Sequence, residues 1–350
     1  MIAKEMRGLA YGLAGALVAA ALALGGATTA AAKSELIVYT ALEDEQLPDF
    51  QAAFQAANPD IEIKWVRDST GPITSRLLAE KDNRQADVVW GLAATSLMIL
   101  DHQGMLESYK PAGFDKLREL FRDNRANPTW TGMDAWASAI CFNTAEGAKL
   151  GLKEPTSWAD LLKPEYKGKI VMPNPASSGT GYLSVSAWLQ MMGEDKGWAY
   201  MDKLHENINT YLHSGSKPCV EAAQGEYPVG ISFAYRGVQE KNKGAPLDII
   251  LPSEGIGWDM EATAIMKGTK TLDAAKKLAD FAASEKANHD LYAKAYSVVA
   301  YPGAEQPLPN YPAGEEKLMI KNDFAWAAAN RDKILQEWEK RYGSKDAPKS

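Results

Sequence analysis

Two cysteines, four histidines and no basic tract among 350 residues close off several kinds of chemistry at once. The histidines, His102, His205, His213 and His289, are scattered, and none falls in a metal-ligand spacing such as H-E-x-x-H. His205, beside Leu204, reads as a structural residue of a helix. No G-x-S-x-G elbow, no P-loop and no dinucleotide fingerprint occurs. Cys141 and Cys219 have no neighbouring base in sequence, so no nucleophile presents itself. The expectation is a chain without metal, cofactor or catalytic centre. A formal charge of -7 and a pI near 5.3 argue against a nucleic-acid partner.

The amino end has the layout of a secretory signal. Lys4 and Arg7 give a basic start, an apolar run follows from Gly8 to Gly26, and Ala30, Ala31 and Ala32 offer small residues for cleavage before Lys33. A membrane anchor is the rival reading, because the run approaches spanning length. The lack of a basic stop-transfer cluster behind it favours cleavage, and no cysteine lies near the cut for lipid attachment. Residues 1–32 are expected to be a signal peptide, and the mature chain to be released into the periplasm. What remains is long enough for two lobes with separate cores. In an oxidising compartment Cys141 and Cys219 either pair or stay free, buried thiols. A bridge across so long a loop would be worth about 3–4 kcal/mol on chain entropy.

Short apolar strands alternate with amphipathic helices, the pattern of an α/β fold. Residues 35–39, 61–65 and 87–91 read as strands, with helices from about Asp44 to Ala57 and after Pro72 between them. The three strands end in polar turns carrying Thr40, Ser69 with Thr70, and Thr95 with Ser96. In a parallel sheet such turns gather at the carboxyl ends of the strands, where ligands of open α/β sheets bind. The stretch from Trp130 to Asn143 is extended and apolar and reads as a crossing to a second lobe, with a return crossing near Ile249–Leu251 and Trp258–Ala262. Residues 33–130 with 259–350 are expected to form lobe 1, and residues 131–258 lobe 2 with the hinge crossings.

The most informative segment is Asn174 to Tyr182. It carries Ser177, Ser178, Gly179, Thr180 and Gly181 between a strand at Lys169–Met172 and a helix beginning near Leu183. A helix N-terminus offers open backbone N–H groups and the positive end of the dipole, so hydroxyls and glycines there make an anion seat. An ordinary Ser/Thr cap with a glycine turn is the alternative for this segment alone.

The chain also resembles the solute-binding components of ABC importers, of the two-lobed class that includes ferric-iron and polyamine binders. The segment Pro155–Leu162 through Tyr166–Ile170 is typical of that class. Within it, Val38–Asp44, Arg67–Gly71, Asn174–Tyr182, His213–Cys219 and Gly257–Ala262 are most similar to 2-aminoethylphosphonate-binding proteins. The resemblance implies two lobes of mixed β-sheet flanked by helices (the type II-like binding-protein architecture), joined by crossing strands. It further implies a monomer that carries its guest in the intervening cleft to a membrane permease and its ATPase. Ferric binders of this class present two adjacent tyrosines, where this chain has Ala234-Tyr235-Arg236.

A zwitterionic aminophosphonate needs convergent donors at one end and a carboxylate or aromatic face at the other. The residues expected to meet it are Thr40, Ser69, Thr70, Thr95, Ser177, Ser178 and Thr180 as donors, with Asp259, Tyr235 and Trp258 at the ammonium end. Glu261 and Glu43 are the reserve carboxylates, Trp90 a further aromatic wall, and Ser214, Ser216 and Lys217 second-lobe candidates. A polyamine or ferric iron is the alternative guest.

Overall fold

The computed structural model describes residues 33–348. The expected signal peptide, residues 1–32, lies outside the described residues. Ten strands make up the sheet: β1 Ser34–Thr40, β2 Ile61–Arg67, β3 Val88–Ala93, β4 Thr131–Asn143, β5 Ile170–Pro173, β6 Ile208–Leu212, β7 Val229–Phe233, β8 Leu247–Ile250, β9 Trp258–Ile265 and β10 Val298–Val299. Their order is β2-β1-β3-β9-β4-β7-β5-β6, with β8 and β10 both paired to β4.

Two parallel groups stand at the ends of this order. β1 pairs in parallel with β2 and β3, and β5 pairs in parallel with β6 and β7. Each group is wound through helices, as parallel connections require. The strands read as apolar runs because both faces are covered: every residue of β3, β5 and β7 is buried. β2 stands at an edge and alternates, burying Ile61 and Ile63 while Lys64 is exposed.

β4 is buried at all thirteen positions and serves both lobes. Its residues Thr131–Ala137 pair antiparallel with β9, and Ser138–Phe142 pair antiparallel with β7. The protein is thus a two-lobed α/β structure, each lobe a mixed sheet flanked by helices, joined through a strand common to both. Two apolar clusters sandwich the first lobe's sheet, one around Tyr39, Leu97 and Met260 and one around Phe54, Trp90 and Tyr292. A third cluster fills the second lobe around Trp158, Trp188 and Tyr211.

The C-terminal helix Phe324–Tyr342, which the expected division puts with lobe 1 in residues 259–350, packs against both lobes. Its Ala327, Ile334, Trp338 and Tyr342 bury into the second-lobe cluster, while Phe324 packs edge-on against Trp258, 4.9 Å between centroids, in the first. Strand order gives no hint of this, because the long loop before the helix can lead to either lobe. Cys141 on β4 and Cys219 on the helix Lys217–Gln224 form a disulfide, with Cα atoms 5.4 Å apart. That closes the alternative of free thiols.

Candidate ligand-binding cleft

The carboxyl ends of the parallel strands of both lobes converge on a cavity of about 50 Å³. From the first lobe come Arg67 at the end of β2, then Ser69 and Thr70 at the start of the helix Thr70–Ala79. From the second come Ser178, Gly179 and Thr180, where β5 hands over to the helix Gly179–Met192, and Ser214 with Gly215 after β6.

The two turns touch directly. Gly71 N–H donates to Ser177 O at 2.9 Å, a backbone bond from one lobe to the other. A Cβ on Gly71 would stand 2.1 Å from Ala176 O, and one on Gly179 would stand 2.5 Å from Thr70 Oγ1. Gly215 is as confined, with Ser178 Oγ and Thr180 Oγ1 both 2.8 Å from where its Cβ would be. These approaches are open only to glycine and bring the hydroxyls together.

Ser178 is the N-cap of its helix and accepts from Gly181 N–H at 3.2 Å. Among the described hydrogen bonds none uses the N–H of Gly179 or Thr180. Those amides line the cavity wall beside the hydroxyls and carry the helix's partial positive charge.

The cavity also has an acidic side. Glu43, after β1, accepts from Arg236 Nη2 of the second lobe at 2.8 Å and lies 3.5 Å from Arg67 Nη2. Burial pushes its carboxyl up, and the two guanidinium groups pull it back down. Arg236 also meets Glu45 at 2.6 Å, so this ion-pair cluster spans the two lobes. Glu261 on β9 is different. Its Oε1 accepts from Tyr296 OH at 3.3 Å, and its buried Oε2 has no partner. Burial, with the charge of Glu43 nearby, pushes its carboxyl up to about 8. Trp136, Phe233 and Tyr296 complete the wall.

Of the residues expected at the site, Ser69, Thr70, Ser178 and Thr180 line this cavity, as do the reserve carboxylates Glu43 and Glu261 and the second-lobe candidate Ser214. Ser177 faces an adjoining cavity of about 510 Å³, its Oγ 3.4 Å from His213 Nδ1. Thr40 Oγ1 accepts from Leu42 N–H at 3.1 Å and shapes the turn after β1. Thr95 Oγ1 donates to Asp259 Oδ2 at 2.6 Å, and Asp259 also takes the amides of Ala94 and Thr95, capping the helix Ala94–His102. Trp258 Nε1 donates to Ile320 O at 2.8 Å within the core. Tyr235 lies behind the wall, its ring 5.3 Å from that of Tyr296. Sequence reasoning passed over Arg67, although its place at the end of β2, next to the Ser69–Thr70 turn, was the signal available. Gly215 lay in the singled-out run His213–Cys219 without being named, and Tyr296 had no signal.

The chain belongs to the bacterial extracellular solute-binding protein family, whose model matches residues 83–327. It is a periplasmic solute-binding protein of the ABC-transporter type. An uncharacterized protein of Haemophilus influenzae is 31% identical over 330 residues, covering 92% of this chain and 94% of its own. A Sinorhizobium fredii protein provisionally named an ABC transporter periplasmic-binding protein is 28% identical, covering 82% of this chain and 81% of its own. A Salmonella typhimurium protein provisionally named a 2-aminoethylphosphonate-binding periplasmic protein is 24% identical, covering 73% and 76%. Among solved structures, the periplasmic binding protein AfuA of Actinobacillus pleuropneumoniae, with fructose-6-phosphate bound, superposes with a TM-score of 0.83 at 29% identity, covering 89% of this chain and 99% of its own. The family and the neighbours that carry a functional name are solute-binding proteins. No helix among the described residues is long and apolar enough to cross a membrane.

Proposed function

We propose that this protein captures 2-aminoethylphosphonate between its lobes and presents it, as a monomer, to an ABC permease. The observation that carries the reading is the meeting of two hydroxyl-bearing turns, Ser69–Thr70 and Ser178–Thr180, around one small cavity beside open helix-terminal amides. A buried phosphonate needs donors from several directions, and neutral donors bring no unpaired charge of their own when the site is empty. Arg67 adds one fixed cation on the same side. A hydrogen bond to a charged group is worth roughly 1.5–3 kcal/mol. Four to six of them offset desolvation and leave micromolar affinity, about -8 kcal/mol.

The small cavity favours a compact guest over a long polyamine. Donor-rich walls are poor ligands for ferric iron, which prefers anionic oxygen. The Salmonella relative's provisional name and the phosphate ester held by the Actinobacillus protein both support a phosphorus oxyanion. The second of these also supports a sugar phosphate as an alternative guest, admitted by a wider opening of the lobes. Closure would be a swing about β4 and β9, which connect residues 33–130 to the second lobe. The guest favours it by touching both turns, because only a difference in affinity between open and closed forms shifts the balance.

Titration calorimetry with 2-aminoethylphosphonate, fructose 6-phosphate, inorganic phosphate, spermidine and ferric citrate tests the reading. The aminophosphonate is expected to bind at micromolar concentration or tighter. Heat with spermidine and none with any phosphorus oxyanion would overturn the proposal. Changing Ser69→Ala with Thr180→Val is expected to weaken the aminophosphonate by about 2–4 kcal/mol.

A further inference from the structure

Among the described residues, Glu261 is the one carboxyl group of the cavity wall that no cation neutralises. Its neighbour on that wall, Glu43, is held by Arg236 at 2.8 Å and Arg67 at 3.5 Å. Glu261 instead stands among acids and phenols. Tyr296 donates to Oε1. Tyr292 and Tyr235 lie within its electrostatic reach. Asp134, opposite it in the β4–β9 pairing, is fully buried with neither oxygen partnered. Glu43 faces it from the loop after β1. Glu261 is 8% exposed on the cavity wall and its buried Oε2 has no partner, so the carboxyl is desolvated and left without a neutralising group. An isolated ionised carboxylate is costly in such a place, so the empty site keeps it protonated.

We infer that Glu261 is the residue by which this protein selects an aminoalkyl phosphonate over a plain phosphonate, its carboxyl pairing as a carboxylate with the guest's ammonium group and releasing its proton to solvent. The inference rests on the proposed function and deepens it. The balance is simple. A neutral Glu261 carboxyl and a free ammonium become a carboxylate–ammonium pair, and one proton leaves to the buffer. Donors at the Ser69–Thr180 side and an acceptor without a donor at Glu261 give the cavity two chemically opposite ends. A zwitterion with phosphonate and ammonium separated by a short linker matches both.

The test compares 2-aminoethylphosphonate with ethylphosphonate, which keeps the phosphonate and lacks the amine. Both are titrated into the wild type and into Glu261→Gln, at pH 6 and 8.5, in two buffers of different ionisation enthalpy. The wild type is expected to prefer the amine-bearing ligand by about tenfold or more. It should release a fraction of a proton per ligand near pH 7 and bind more tightly as pH rises toward 8. Glu261→Gln should bind both phosphonates within about threefold of each other, retain ethylphosphonate affinity, and lose the Glu261 share of the proton release. A variant that keeps the preference, or that loses both ligands equally, would overturn the inference and leave the phosphonate reading standing. A wild type that binds neither phosphonate would remove both.

Discussion

Asp259 and Glu261 lie two positions apart on β9, on one side of the strand, and serve different ends because of what faces them. Asp259 meets the first amides of the helix Ala94–His102 and the hydroxyl of Thr95. Burial still pushes its carboxyl up to about 7 against those hydrogen bonds. Asp259→Ala is expected to cost about 1–2 kcal/mol in a denaturant melt through the lost cap, with ligand affinity changed less than threefold. Glu315, held by Ser297 and Tyr311, is likewise raised to about 7 by burial. Glu261, at about 8, is the third of the set. In the unfolded chain these groups titrate near 3.8 and 4.5. A folded value above the unfolded one means that each stabilises the fold fully below about pH 4 and loses that contribution as pH rises through its folded value. The contribution of these groups to the Tm of the ligand-free protein is therefore expected to fall between about pH 4 and 8 and level off above, with a shallower fall in Glu261→Gln. A flat profile for the wild type would contradict the assignment.

At the level of elements, the two helix starts at Thr70 and Gly179 set the cleft. Both follow the carboxyl end of a parallel strand, and both were legible from polar, glycine-bearing turns after apolar runs. The individual donors were less legible. Ser177 and Ser178 are adjacent and look equivalent in sequence, yet Ser178 caps the helix into the cavity while Ser177 turns toward His213. One residue of chain direction decides that, and only the closed turn fixes it. The contact between the turns makes Gly71 the sharpest test. A methyl group there would press on Ala176 O, so Gly71→Ala should hold the lobes apart. Small-angle scattering is expected to show no contraction on adding ligand, and affinity should drop about tenfold or more, the loss of one cross-lobe hydrogen bond together with closure.

Over residues 33–348, stability is shared between the lobes by pieces that a linear reading assigns to one. The helix Phe324–Tyr342 is the clearest. Trp338 is 1% exposed in the second-lobe core, far in sequence from the strands it covers. Trp338→Ala is expected to lower unfolding stability by about 3–5 kcal/mol, measured by denaturant titration. The Arg236 cluster with Glu43 and Glu45 is the counterpart at the cleft, because it links the lobes without a guest.

The alternation of apolar strands and amphipathic helices determined an α/β chain, because strand and helix periods are local properties of the sequence. The same reading placed the two hydroxyl- and glycine-bearing turns that meet at the cavity, although such a turn at a strand-to-helix junction is also an ordinary helix cap. Tertiary structure alone decided which carboxylates face the cavity, which hydroxyl is turned away, and that the last helix packs against both lobes. Those outcomes depend on groups distant in the chain: Asp259 on a helix start more than 150 residues earlier, Glu43 on Arg236, and Glu261 on Tyr296 and Glu43 standing beside it, with no cation among the described residues. Burial and pairing energies act between such groups only after the chain has brought them together, so no spacing in the sequence encodes them.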